Sequence, residues 1–248
     1  MISKIKFWVI LLVLSGCVLI AGGEVSAQRE TSIPIIKIVK SQYQENGSKA
    51  FIPRVLGLNN AELQAKINMN LEAAILALRN PSPDSSLHGD FEISFYNGNL
   101  LGIHFRGNSF TPGGARPRKI DSGIHIDLSS GTVYEIGDLF KGTADFEKRI
   151  KELCADNESA YRLNIEGLAE RWTIKTFTAS WTGMDKAFLL TADSVRVYSI
   201  PSNAIGPIGG YNVPYADLAD ILDKDGDLWQ KLTGRAAQAL TVTTEESK

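Results

Sequence analysis

Between Phe91 and Phe140 the apolar residues fall on every second position three times over. Phe91, Ile93 and Phe95 alternate with Glu92, Ser94 and Tyr96; Leu101, Ile103 and Phe105 with Gly102, His104 and Arg106; Ile124, Ile126 and Leu128 with His125 and Asp127. Successive side chains on a strand point to opposite faces, so this period predicts half-buried antiparallel strands. Asn97-Gly98 between the first two runs tolerates the positive φ of a tight hairpin, and Ser130-Gly131 serves similarly after the third. The product is a meander with one apolar face that needs a cover.

A helix can supply that cover. Asn59 reads as an N-cap with Glu62 three places on, Leu63, Ile67, Leu71, Ala74, Ile75 and Leu78 share one face, and Pro81 and Pro83 end the pattern. Before it, Ile33 to Val39 and Phe51 to Leu56 read as strands around the turn signal Asn46-Gly47. After the meander, Asp145 to Leu153 and Glu158 to Glu170 read as helices, and Ala187 to Leu190 and Val195 to Ile200 as a second hairpin. The implied class is α+β, with antiparallel sheet lobes covered by helices on one face. One lobe is expected over residues 31–118, a second over 119–222, and a polar extension over 223–248.

Residues 1–27 have the layout of a secretory signal peptide: Lys4 and Lys6, an apolar stretch from Phe7 to Ile20, and Val25-Ser26-Ala27 as the cleavage site. The same segment holds Leu14-Ser15-Gly16-Cys17, a lipobox-like sequence that would make Cys17 a lipidated membrane anchor. Both readings place the folded part outside the cytoplasm, at the cell envelope or beyond it. Membrane attachment is expected only if Cys17 is lipidated or the segment is retained. Cleavage at Ala27 leaves Cys154 as the single cysteine, so no internal disulfide is available, and its helical spacing with Ile150 makes it a small core residue. Basic residues number 26 against 28 acidic ones and are scattered, which speaks against a nucleic-acid partner.

Four constellations bear on chemistry. His104, His125 and Asp127 lie on the polar faces of strands that can be close together, a set that could in principle hold zinc; with no close-spaced ligand pair to join them, the plainer reading is a solvated face. Thr111-Pro112-Gly113-Gly114-Ala115-Arg116, next to Arg118 and Lys119, is a glycine-rich turn whose N–H groups and guanidinium suit an anion, and it matches no nucleotide fingerprint. Asp223, Asp225 and Asp227 surround Gly226, yet Leu228 and Gly234 occupy the positions where a calcium loop needs glycine and glutamate. No serine elbow or carboxylate pair stands out, so no residue is assigned a catalytic role and no cofactor is called for.

Several stretches together resemble a known family. They are FIPRVLGLNNAELQAKIN, GNLLGIHFRGNSFTPGGARP, IHIDLSSGTVYEIGDLF and AFLLTADSVRVYSIPSNAIGPIGGYNVPYADL, with Gly113-Gly114-Ala115, Asp127-Leu128, Asp138-Leu139-Phe140 and Val213-Pro214-Tyr215 as fixed points. The chain resembles the paired domains of unknown function in the ectodomain of the lysozyme-sensing anti-sigma factor RsiV and in the non-catalytic part of Firmicute peptidoglycan deacetylases. The family commonly has histidine where this chain has Arg116, and tyrosine where Ser202 follows Pro201. Neither a cytoplasmic anti-sigma region nor a deacetylase domain is expected here. The resemblance implies a secreted, non-catalytic binding module. Its exposed loops, with Thr111, Gly113, Gly114 and Arg116 in one and Pro201, Ser202, Asn203, Pro207 and Gly210 in the other, would recognise lysozyme or a cell-wall glycan such as peptidoglycan. The alternative is an envelope hydrolase or metal-dependent enzyme using His104, His125 and Asp127.

Overall fold

The computed structural model describes residues 36–162, 188–199 and 209–234. The signal segment with Cys17, residues 163–187, the loop with Pro201, Ser202, Asn203 and Pro207, and the tail after residue 234 lie outside the described residues. In chain order the elements are β1 (Lys37–Tyr43), β2 (Lys49–Leu56), α1 (Ala61–Ala77), β3 (Ser86–Tyr96), β4 (Leu100–Phe110), β5 (Arg118–Asp127) and β6 (Val133–Tyr134). A 3-10 turn (Ile136–Leu139), α2 (Phe146–Asp156), α3 (Glu158–Tyr161), β7 (Phe188–Leu190), β8 (Ser194–Ser199), β9 (Gly209–Pro214), a second 3-10 turn (Tyr215–Leu218) and α4 (Asp227–Thr233) follow. Six strands form one sheet in the order β1 to β6 and three form another in the order β7 to β9, an α+β fold.

The alternation works as expected on the face towards α1. Leu101, Ile103 and Phe105 of β4 and Ile124 and Ile126 of β5 join Ile67, Leu71 and Ile75 of the helix in one core. At roughly 1.5–3 kcal/mol per fully buried large apolar side chain, this layer is a major source of stability. The helix begins one residue later than its sequence suggests: Asn60, not Asn59, is the cap, and its side-chain oxygen accepts the Leu63 N–H at 3.0 Å. β1 runs on to Tyr43, past Val39 where its apolar pattern ends, because each of its positions from Lys37 pairs with β2.

Three corrections concern the sheet. First, β3 carries a bulge between Ile93 and Phe95. The extra residue turns Phe95 to the face opposite Ile93, where it packs in the second core, and brings Tyr96 round to the first. Second, the sheet is not wholly antiparallel, because β2 and β3, joined through α1, run parallel over only two pairs, Lys49↔His88 and Ala50↔Gly89. Beyond them the buried Asn68 of α1 serves as a substitute strand: its side chain accepts the Val55 N–H at 2.7 Å and donates to the Val55 carbonyl at 3.0 Å. Asn68→Leu is therefore expected to lower stability by about 2–3 kcal/mol in urea unfolding, because two buried backbone groups lose their partners. A loss under about 0.5 kcal/mol would show that these bonds contribute nothing net.

The third correction is the largest. The opposite face of the meander is covered by the β7–β9 sheet, with Phe188 stacked on His125 at 4.8 Å between ring centroids. Leu100, Tyr134, Phe140, Ile150, Cys154, Val195, Val213 and Leu218 form the second core on this side. The helix is thus one of two covers, and β4 from Leu100 to Phe105 and β5 from Ser122 to Asp127 are buried on both faces. The boundary expected between residues 118 and 119 falls at the start of β5, within a β4–β5 ladder that runs from Ser109↔Arg118 to Leu100↔Asp127.

Candidate functional site

The loop between β4 and β5 leaves the sheet with a built foot and an open tip. At the foot, Thr111 Oγ1 accepts from Asn80 Nδ2 at 3.0 Å and shares a 2.8 Å hydrogen bond with Ser85 Oγ, while Ser109 Oγ accepts the Asn80 N–H at 2.9 Å. From the other strand, Arg118 Nε donates to Asn80 Oδ1 at 2.7 Å and its Nη2 donates to the Leu78 carbonyl. Leu78 is the C-cap of α1, where carbonyls lack helical partners and the macrodipole favours a cation. Both ends of the loop are therefore tied to the end of α1.

At the tip, Gly114 N donates to the Thr111 carbonyl at 2.9 Å, closing a turn in which Gly113 has φ +83°. A side chain there would have open space but a strained backbone, which is why glycine suits it. Pro112 to Pro117, including Gly113, Gly114 and Arg116, are all exposed, whereas Thr111 is half-buried. Of the second expected loop only Gly210 is described. It pairs with Tyr198 within β9 and is buried, so it is part of the sheet rather than a free loop tip.

His104, His125 and Asp127 are neither solvated nor gathered round a common point. They sit under or beside the second sheet, and each has its own partners. His104 is 6% exposed, with Nδ1 3.0 Å from Glu92 Oε1 and Nε2 2.5 Å from Asp121 Oδ1, and its ring lies 6.3 Å from that of Tyr198. Burial pushes the Tyr198 hydroxyl pKa up, with the Asp121 charge adding to it. His125 is fully buried; its Nε2 accepts the Leu190 N–H at 2.9 Å, joining the two sheets. That bond makes Nε2 the unprotonated nitrogen, so the ring is the neutral tautomer with its hydrogen on Nδ1, an atom without a hydrogen-bond partner among the described residues. Desolvation, helped by His104, pulls its pKa down to about 3.

Asp127 closes the turn after β5. It accepts from Ser129 N (2.7 Å), Ser129 Oγ (2.8 Å) and Ser130 Oγ (2.8 Å), and Lys231 of α4 lies 3.3 Å away. Burial alone would raise its pKa, but these bonds outweigh it and hold the carboxyl below the usual range. No group of three or more His, Cys, Asp or Glu among the described residues is arranged to hold a metal. Cys154 is buried, and burial pushes its thiol up to about 12. Asp227 accepts the Tyr134 hydroxyl at the start of α4.

Sequence patterns missed the supporting residues. Asn80 looked like no more than a helix end before Pro81, and nothing local marks it as the link between Thr111 and Arg118. Asp121 extends the alternation of β5 backwards, and that signal was there to be used. Tyr198 could not be placed over His104 without knowing that the second hairpin folds across the first sheet.

Two stacked sheets with α1 on the outer face give this chain an α+β fold. No family model matches the sequence, and no curated protein matches it. Among solved structures it is similar to a member of the DUF3298 family (BF2082) from Bacteroides fragilis NCTC 9343, with a TM-score of 0.52 and 14% identity over 81% of this chain and 97% of that one. It is also similar to the DUF3298 family protein PA4972 from Pseudomonas aeruginosa PAO1, with a TM-score of 0.48 and 15% identity over 77% and 94% of the two chains. At 14% identity the likeness to the Bacteroides fragilis protein is one of fold.

Proposed function

We propose that this chain is an exported, non-catalytic binding module of the bacterial cell envelope. The observation that carries this reading is the loop between β4 and β5: an exposed Pro/Gly tip on a hydrogen-bonded foot, held between two strands of a sheet covered on both faces. Such a tip loses little conformational entropy on docking, because proline restricts it and the foot is already fixed. The segment over residues 1–27 supports export, and the resemblance to the RsiV ectodomain supplies the partner class, lysozyme or a cell-wall glycan. A hydrolase or metal enzyme built on His104, His125 and Asp127 would need these groups to converge on one ligand, and each is bonded elsewhere. Purified protein passed over immobilised lysozyme and mixed with insoluble peptidoglycan is expected to be retained by at least one of them. Retention by neither overturns the reading.

A further inference from the structure

The foot of the β4–β5 loop gathers residues 78–85 and 110–119 at one end of the first sheet. The charged side chains in these two stretches are Arg79, Arg116, Arg118 and Lys119 against the single carboxylate of Asp84. Lys40, Arg54, Arg106, Arg149 and Lys231 all pair with carboxylates elsewhere on the molecule, but these four cations are in no ion pair among the described residues. Arg118 is engaged at the foot by neutral partners, Asn80 and the Leu78 carbonyl. Arg116 and Lys119 are exposed. The last residue of β4 adds an apolar surface: Phe110 is 37% exposed, one of three large hydrophobic residues left open among the described residues.

Because Asn108 pairs with Lys119, the Lys119 side chain is on the same face of the sheet as Phe110, and an accessible aromatic ring that shares a face with an unpaired ammonium group, next to a loop carrying Arg116, matches a particular chemistry. The ring can stack on the apolar face of a sugar, while the cations meet acidic substituents on the same polymer. A cationic protein surface would instead meet like charge here. We propose that Phe110, Arg116 and Lys119 form a recognition surface for an anionic glycan of the cell wall. This rests on the envelope-binding reading and selects the glycan over lysozyme as the partner. The acidic group is a phosphodiester or a carboxylate, and both present oxygen acceptors to the same cations.

The test uses the purified protein and three wall preparations: intact Gram-positive walls, the same walls stripped of phosphodiester polymer with hydrofluoric acid, and stripped walls whose carboxyls have been amidated. Retention on intact walls is expected. Loss on the first treatment assigns the phosphodiester, and loss only on the second assigns the carboxylate. Arg116→Glu with Lys119→Glu is expected to weaken retention by about tenfold or more, and Phe110→Ser several-fold. Lys148→Glu with Lys224→Glu, the same change of charge at exposed sites outside this surface, is expected to leave retention unaltered. If the Arg116/Lys119 variant is retained like the unaltered protein, the surface assignment falls while envelope binding stands. If lysozyme alone retains the protein, the glycan assignment falls. If nothing does, the functional reading falls with it. All five substituted charges or rings are exposed, and matching thermal unfolding of the variants separates lost binding from lost folding.

Discussion

Gly123→Ala is expected to destabilise the protein by about 3 kcal/mol, the upper end of what an extra methylene costs in a packed interior. An added Cβ would lie 2.1 Å from the Phe188 carbonyl oxygen and 2.8 Å from Cε1 of His125. The first obstacle is backbone, which cannot rotate away as a side-chain end can. β7 would have to lift from β5, stretching the bond from Leu190 N to His125 Nε2 and opening the stack of Phe188 on His125. Urea unfolding measures the loss, and amide exchange in Phe188–Leu190 reports where it falls. Gly113→Ala makes the contrast: nothing lies within 4 Å of that position, and only its φ of +83° opposes a side chain. The expected cost there is about 1 kcal/mol. Equal costs at the two sites would mean that the sheets are not in close register at Gly123.

Acidification is expected to weaken the fold well above the range in which carboxylates titrate. Folding moves the His125 pKa from an ordinary 6.5 down to about 3, because the charged ring is disfavoured where water is excluded. The unfolded chain takes up a proton below pH 6.5 and the folded chain does not, so stability falls as pH drops through 6.5 and stops falling near 3. The slope for this one group is about 1.4 kcal/mol per pH unit. Asp127, with a depressed pKa, contributes in the same direction but only below its ordinary value of 3.8, so the interval from pH 6.5 to about 4 separates the two. His125→Gln retains an acceptor for Leu190 N and cannot be protonated. It is expected to cost stability at neutral pH yet flatten the profile across that interval, and an unchanged acid slope in this variant would refute the assignment.

The sequence made the meander legible because local rules govern it. Alternation located β3, β4 and β5, and Gly98, Gly131 and the Asn46–Gly47 pair all take the positive φ their turns require. What it hid are relations between segments far apart in the chain. His104, His125 and Gly123 look like the solvent side of a half-exposed sheet, and only the return of residues 188–198 over them makes that side an interior. Polar residues on alternate positions of a strand point to water, whereas here His125 meets the Leu190 N–H of the second layer and His104 meets Glu92 and Asp121 of its own sheet. The bulge at Ser94 is equally silent, since one inserted residue leaves the composition of the run unchanged while reversing the direction of Phe95. For the candidate site, the loop tip was visible as a Pro/Gly cluster. Its foot was not, because Asn80 and Arg118 are 38 residues apart.

The two-rung parallel junction between β2 and β3 gives the molecule a mechanical asymmetry. β1 and β2 form seven pairs with each other and only two with the rest of the sheet, supplemented by Asn68 and the Lys40–Asp90 ion pair. Tension entering through the N-terminus would therefore reach its weakest seam at Lys49–Ala50. It would peel the first hairpin away as a unit, while the four strands from β3 to β6 and the layer resting on them still carried load.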